Sequence, residues 1–341
     1  MFRKLAIAKG SNRCNHACVF CSEGAVHDGS LVPLDTVAQL LVRLKAKGYD
    51  AVNLMGAETT LRPDLPELLQ LVRHHGLQAA LTTNATRLAS RELSEQLVPL
   101  LACIEISLPA ADRDTYQTIT SRDHLPRVEA ALRNVAQVAQ TMEKPPVIVI
   151  NTVVCRLNRD APAQVARLLA ELDLQPQPLL HFIRARAKGR AVGGTLSLGL
   201  PECVTSFRKG VRLARAAGLP VMFRGLPICC LFDEVEHNFW ALEALSQPDN
   251  TYLNRTQLTE NAPIEERAQL DRKGSRAIEA CAHCGLQPLC PGLHLETPDD
   301  PIIQPPDPCP TIEALSARLR RGPLAGSVLA ERPAPTLPRL H

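Results

Sequence analysis

The sequence predicts an α/β protein built around a parallel sheet, best matched by a partial (β/α)6 barrel with a small cysteine-rich domain after it. Three observations carry this. Short, near-continuously apolar runs alternate with longer amphipathic ones up to about residue 185, without a long interruption. Runs of that kind suit strands covered on both faces, as in a parallel sheet, and the alternation itself is the pattern of successive βα units. Six such units fall short of the ~250 residues that a closed eight-stranded barrel typically takes, so an open six-stranded barrel fits better.

Leu5–Ala8 reads as the first strand and leads into a cysteine-rich loop. Thr36–Lys47 reads as a helix, because Val37, Leu40, Leu41 and Leu44 recur at helical spacing and Asp35 stands as N-cap. Strands follow at Ala51–Met55, Gln78–Thr82, Cys103–Ser107, Val147–Val153 and Leu179–Ile183. Helices lie between them at Leu65–His74 (opened by Pro63-Asp64), Ser90–Leu100, Leu125–Gln140 and Pro162–Leu172. Glu202–Ala217 gives one more helix and Pro220–Phe223 one more short strand. The character then changes: residues 226 to 296 hold five cysteines, the single Trp and little periodicity, and the end of the chain is rich in Pro and Arg. The expected division is a barrel over 1–225, a cysteine-rich domain over 226–298 and a poorly ordered tail over 299–341.

With 341 residues, 45% of them hydrophobic, the chain has material for a full core. A net charge of +3 and only 3% aromatic residues give no clear nucleic-acid signature. No apolar stretch is long enough for a membrane span, and the N-terminus lacks the features of a secretory signal. Twelve cysteines without an export signal point to a reducing, cytoplasmic setting and to metal or cluster ligation.

Cys14, Cys18 and Cys21 form a C-x3-C-x2-C loop directly after the first strand. Three thiolates in one tight loop suit three irons of a 4Fe–4S cluster and leave the fourth iron open. Zinc is the alternative, with His16 or His27 as a fourth ligand; a disulfide framework fits the short gaps poorly. A second set, Cys281-x2-Cys284-x5-Cys290, is again a metal signature for which zinc and an iron–sulfur cluster both stay open. Cys103, Cys155 and Cys203 fall within element patterns and read as buried small apolar residues. Arg184, Arg186, Lys188 and Arg190 form a basic run after the sixth strand, read either as a solvated loop or as a contact for an anionic substrate or peptide.

The cysteine triplet, the order of elements and several strand-end motifs together resemble the radical SAM superfamily over roughly residues 4–225. The resemblance implies that Cys14, Cys18 and Cys21 bind three irons of a 4Fe–4S cluster whose fourth iron takes the amine and carboxylate of S-adenosyl-L-methionine (SAM). It implies an adenine contact for Phe20. Leu54-Met55-Gly56-Ala57-Glu58-Thr59-Thr60 is similar to the family's Gly-Gly-Glu-Pro segment at the methionine end of the cofactor. Gly56 and Glu58 match, whereas Ala57 and Thr59 depart, and a positive φ at Ala57 would be costly. Thr82-Thr83-Asn84-Ala85 resembles a Thr-Asn-Gly segment, with Ala85 in place of glycine. By the same resemblance Asn84, Ser107 and Asn151 are cofactor contacts, with Asn158 completing an Asn-Thr-Val…Asn pattern. Ile119-Thr120-Ser121-Arg122 after Tyr116 is similar to a further stretch seen in many members.

The second cysteine set resembles the auxiliary-cluster extensions of SPASM and twitch-type members, which implies a second 4Fe–4S cluster. Cys229 is the expected fourth ligand beside Cys281, Cys284 and Cys290, with Cys230 as rival and Cys309 as a weaker candidate; His294 stands where a full SPASM pattern would have a cysteine. The function so implied is reductive cleavage of SAM and hydrogen abstraction from a ribosomally made peptide or a cofactor precursor. The implied partners are that peptide or small-molecule substrate, a flavodoxin- or ferredoxin-type reductant and, since the cluster loop starts almost at once, a separate leader-peptide-binding protein. The alternative, motivated by Ala57, Thr59 and Ala85, is a non-catalytic iron–sulfur, zinc-binding or electron-transfer protein of the same fold.

Overall fold

The computed structural model describes residues 2, 4–21, 30–185, 196–239, 241–242, 251–253, 256–257, 266–268, 281–282, 284–287, 289–290, 292 and 310–320. Seven strands pair in parallel: β1 (Leu5–Lys9), β2 (Ala51–Met55), β3 (Gln78–Thr83), β4 (Cys103–Ser107), β5 (Val147–Val154), β6 (Leu179–Arg184) and β7 (Val221–Arg224). Their spatial order is the order of the chain, from β7 at one end to β1 at the other. Pro220–Phe223, expected only as an extra strand, thus widens the same sheet to seven. Further on, β8 (Thr251–Leu253) and β10 (Glu266–Ala268) form an antiparallel pair, and the two-residue β9 (Thr256–Gln257) adds in parallel to the outer edge of β1. The sheet is therefore an open, partial barrel.

Helices α1 (Leu34–Ala46), α2 (Leu65–His74), α3 (Arg91–Leu97), α4 (Arg113–Thr120), α5 (Leu125–Gln140), α6 (Ala161–Leu172) and α7 (Leu200–Ala216) connect the strands. Side chains alternate across a strand, and one face of the sheet is mostly apolar, with Thr83, Thr152 and Arg184 as buried polar exceptions near the strand ends. Val52, Leu54, Leu81, Ile104, Ile106, Ile150, Leu180 and Phe182 are fully buried on that face, in one core with Leu40, Leu41, Leu68, Leu69, Leu132, Leu169 and Phe207 of the helices. Each such side chain contributes about 1.5–3 kcal/mol on burial. The inner face is different. A small apolar group (Ala80, Cys103 and Val149 with Phe2, Leu179 and Met222) fills its lower part, and polar residues stand above it toward the strand C-termini.

Three expectations are corrected. Helix α1 starts at Leu34 with Pro33 at the N-cap position, so Asp35 lies in its first turn and makes no cap bond; its charge still opposes the helix dipole. Helix α4 was missed because its sequence is mostly polar. It is fixed by the Asp112 side chain accepting from the Thr115 backbone N–H and by the short buried stripe Tyr116, Ile119 and Thr120. Within the tail expected to lack order, α8 (Ile312–Leu319) is a helix capped by Thr311. Leu315 and Leu319 of α8 are buried with Ile228, Val235, Ala241, Leu242, Leu286 and Leu289 in a second, smaller core. No helix among the described residues is long and apolar enough to cross a membrane.

Candidate active site

The cysteine loop leaves the C-terminal end of β1 and is pinned to its surroundings on three sides. Toward β2, Gly10 donates to the Met55 carbonyl at 2.9 Å and the Arg13 carbonyl accepts from the Glu58 backbone N–H at 2.7 Å. Toward the end of β3, Asn15 accepts from Asn84 at 2.7 Å and donates to the Thr86 hydroxyl at 2.8 Å. Toward α4, Ala17 and Val19 donate to the Thr120 and Ile119 carbonyls at 3.0 and 2.9 Å, on either side of Cys18. The approach is close at Gly10, where a Cβ would stand 2.5 Å from the Thr59 side chain. Arg62 is buried below the loop, bonded to the Gly10 and Val32 carbonyls and paired with Asp64 at 2.7 Å.

The three thiols are free and half-buried. Burial, and then the proximity of Glu58 and Cys21, pushes the Cys14 thiol up to about 11, against the pull of the His16 backbone N–H on its sulfur. Burial with Cys14 and Cys21 beside it pushes Cys18 up to about 12. Soft donors placed together in a partly dry site, where ionising Cys14 and Cys18 is costly, are a set that cationic iron relieves. The Tyr116 ring meets the His16 ring edge-on, 6.0 Å between centres, and its buried hydroxyl has no hydrogen-bond partner among the described residues. The residues present fit a cluster with three protein ligands.

Glu58 is fully buried and its carboxylate is already engaged. It accepts from the Thr60 hydroxyl and N–H at 2.5 and 3.1 Å, from the Thr83 hydroxyl at 2.6 Å and from the Asn84 N–H at 2.6 Å. Burial raises its pKa and these donors oppose the rise. In this arrangement Glu58 clamps the β2 and β3 ends together. Gly56, with φ +88°, stands at the same turn. Ala57 and Ala85 have φ of +44° and +61°, so both alanines keep the left-handed backbone for which glycine is suited. Asn84 spends its side chain on Asn15 and Thr86. Ser107 is half-buried at the end of β4. Phe20 packs with Val19 and Val153 against Ile119, Cys155 and Ala185, at the ends of β5 and β6.

Asn151 belongs to a polar row on the inner face that sequence reasoning did not assemble. Asn53 and Thr82 bond at 3.1 Å, Thr82 donates to Glu105 at 3.2 Å, Asn151 donates to Glu105 at 2.9 Å, and His181 meets the Asn151 carbonyl oxygen at 2.9 Å. Glu105 and His181 sit inside strand patterns, and only the register, which sets Thr82 beside Glu105 and Asn151 beside His181, brings them together. Arg184 of the basic run is buried and donates to the Leu198 carbonyl; Arg186, Lys188 and Arg190 lie outside the described residues.

The second cysteine set also converges. Burial is the main cause of the raised Cys290 pKa, opposed by the Gly292 and Ile228 backbone N–H groups on its sulfur and reinforced by the nearby Cys229 and Cys281. Cys229 shares a hydrogen bond with Cys230, which holds its thiol well up. Cys230 is buried in the main core, whereas Cys284 and Cys290 pack against the second one. His294 and Cys309 lie outside the described residues. Cys103, Cys155 and Cys203 are buried, as expected.

A three-thiol loop on the C-terminal rim of an open parallel sheet defines a cluster-binding α/β protein. Residues 9–169 match the Radical SAM superfamily model. A probable GTP 3',8-cyclase of Saccharolobus solfataricus is 30% identical over 182 residues, 52% of this chain and 56% of that protein. A GTP 3',8-cyclase of Stenotrophomonas maltophilia is 33% identical over 43% of this chain and 45% of its own length. The chain thus spans about half the length of these curated relatives. In fold it is similar to Streptococcus suis SuiB bound to precursor peptide SuiA, with a TM-score of 0.61, 16% identity and coverage of 86% of this chain and 72% of that one. It is similar too to anSMEcpe with bound AdoMet and Cp18Cys peptide, with a TM-score of 0.60, 16% identity and coverage of 93% and 96%.

Proposed function

We propose that the protein is a radical SAM enzyme that cleaves S-adenosyl-L-methionine reductively and abstracts hydrogen from a substrate held over the inner face of the sheet. The observation that carries this is the thiol loop pinned to the strand-end rim. Cys14, Cys18 and Cys21 would hold a 4Fe–4S cluster, which with SAM supplies a 5′-deoxyadenosyl radical. The chain's own residues do the rest. Glu58 and Asn84 fix the rim, the Gly56–Ala57 and Ala85 turns offer backbone to the cofactor, and Phe20, Ser107 and Asn151 border the space where its nucleoside would lie. The backbone that glycine would take is kept at Ala57 and Ala85 at a cost in strain, which supports a retained cofactor rim.

In this proposal residues 1–225 form the catalytic domain and 226–298 an auxiliary domain, with α8 of the 299–341 tail packed onto it. Cys229, Cys281, Cys284 and Cys290 would hold a second 4Fe–4S cluster; the bond from Ile228 to the Cys290 sulfur favours Cys229 over Cys230. The substrate is a peptide or a cofactor precursor, supported by the peptide-bound neighbours in fold and the GTP 3',8-cyclase relatives in sequence. A flavodoxin- or ferredoxin-type reductant, a separate leader-peptide-binding protein and a cytoplasmic setting belong to the same proposal. The test is anaerobic reconstitution, dithionite and SAM. The wild type forms 5′-deoxyadenosine and the triple Cys14→Ala, Cys18→Ala, Cys21→Ala variant forms none; equal yields from both would refute the reading.

A further inference from the structure

The polar row on the inner face ends in an acceptor that the fold leaves unmet. Asn151 donates through its amide nitrogen to Glu105 at 2.9 Å, so its carbonyl oxygen is what faces His181 Nδ1 at 2.9 Å. An amide oxygen only accepts, so Nδ1 carries the ring proton and Nε2 presents its lone pair. Nε2 is buried and has no hydrogen-bond partner among the described residues. Burial, followed by the charge of Arg224, holds the His181 pKa well below its usual value and keeps the ring neutral. Glu105 supplies a second acceptor. Its Oε2 takes bonds from Thr82 and Asn151, whereas among the described residues Oε1 meets only Asn53, at a long 3.5 Å. Phe239 lies tilted against the imidazole, 5.8 Å between ring centres, with the Arg224 guanidinium 5.4 Å over its ring.

We propose that this row is a ligand subsite for an N–H hydrogen-bond donor, an amine, guanidinium or heterocyclic N–H, with His181 Nε2 and Glu105 Oε1 as its acceptors and Phe239 as its aromatic wall. Acceptors along this row select donors, since a carbonyl or phosphate placed at either would face a lone pair or a carboxylate. Asn151 is the positioning residue that fixes the imidazole tautomer. The inference deepens the proposed function, because the donor would belong to the substrate.

The test uses the full chain with both clusters reconstituted and oxidised, labelled with [15N]histidine, and titrates two cations of equal charge. The probe is 1-methylguanidine; the control, tetramethylammonium, has no N–H. The His181 Nε2 resonance, assigned by its loss in His181→Asn, is expected to move saturably with 1-methylguanidine and stay fixed with tetramethylammonium. Glu105→Gln is expected to weaken the response at least fivefold. No saturable movement in the wild type, or an equal response to both cations, overturns the subsite whether or not either variant folds. SAM cleavage is measured separately on unlabelled wild type, so a subsite failure with intact cleavage is distinct from failure of the enzyme reading.

Discussion

Ala57 and Ala85 test the backbone account of the rim. Both have positive φ, a conformation that costs an alanine about 1–2 kcal/mol. Replacement by glycine removes that strain but gives back about 0.4–1 kcal/mol through the freer unfolded chain. At half-buried Ala57 the balance favours Ala57→Gly by roughly 0.5–1 kcal/mol. Ala85 is fully buried in the main core, so Ala85→Gly also loses a buried methyl worth about 0.8 kcal/mol and comes out near neutral. At the roughly 2–4 °C per kcal/mol of a large domain, Ala57→Gly should raise Tm by ~1–4 °C and Ala85→Gly by ~0–1 °C. Thermal unfolding followed by circular dichroism on anaerobic protein reads both. A lowered Tm for Ala57→Gly, or equal gains at the two positions, would refute the reasoning.

Leu315→Ala in α8 should cost the second core about 2–4 kcal/mol, and iron analysis should show loss from the auxiliary set while the Cys14 loop stays loaded. Cys229→Ala should remove the auxiliary cluster's iron, while Cys230→Ala, a main-core position, should lower Tm and spare that iron; the opposite pattern would reassign the ligand. His181 and His237 are both buried, and burial lowers both pKa values in the folded state. The unfolded chain therefore takes up protons first. Stability contributed by these rings is full above about pH 6.5 and falls below it, by up to about 1.4 kcal/mol per pH unit for each ring. Urea midpoints between pH 8 and 5.5 should decline on the acid side, and a midpoint that rises would contradict the assignment.

The strands were legible because each is a short apolar run between turn residues, and the observed bounds move by a residue or so. The cysteine loop was legible from spacing alone. What spacing did not convey is what holds the loop: Asn15, Thr86 and Arg62 read as ordinary loop polars, and their roles arise from contacts across 52 to 71 residues of sequence. Glu58 was legible as a site residue, but its direction was not, since four donors from three neighbours decide it. Helix α4 is mostly polar and its apolar stripe spans barely one turn, too little for a periodicity signal. Glu105 and His181 looked like ordinary strand positions, and strand register turned them into one row.

The most direct measurement is iron content together with 5′-deoxyadenosine yield in one reconstituted, dithionite-reduced sample given SAM. The account predicts about eight irons per chain, as two 4Fe–4S clusters hold, and deoxyadenosine that disappears when Cys14, Cys18 and Cys21 are changed. Zinc in place of iron, with SAM left intact, would contradict it.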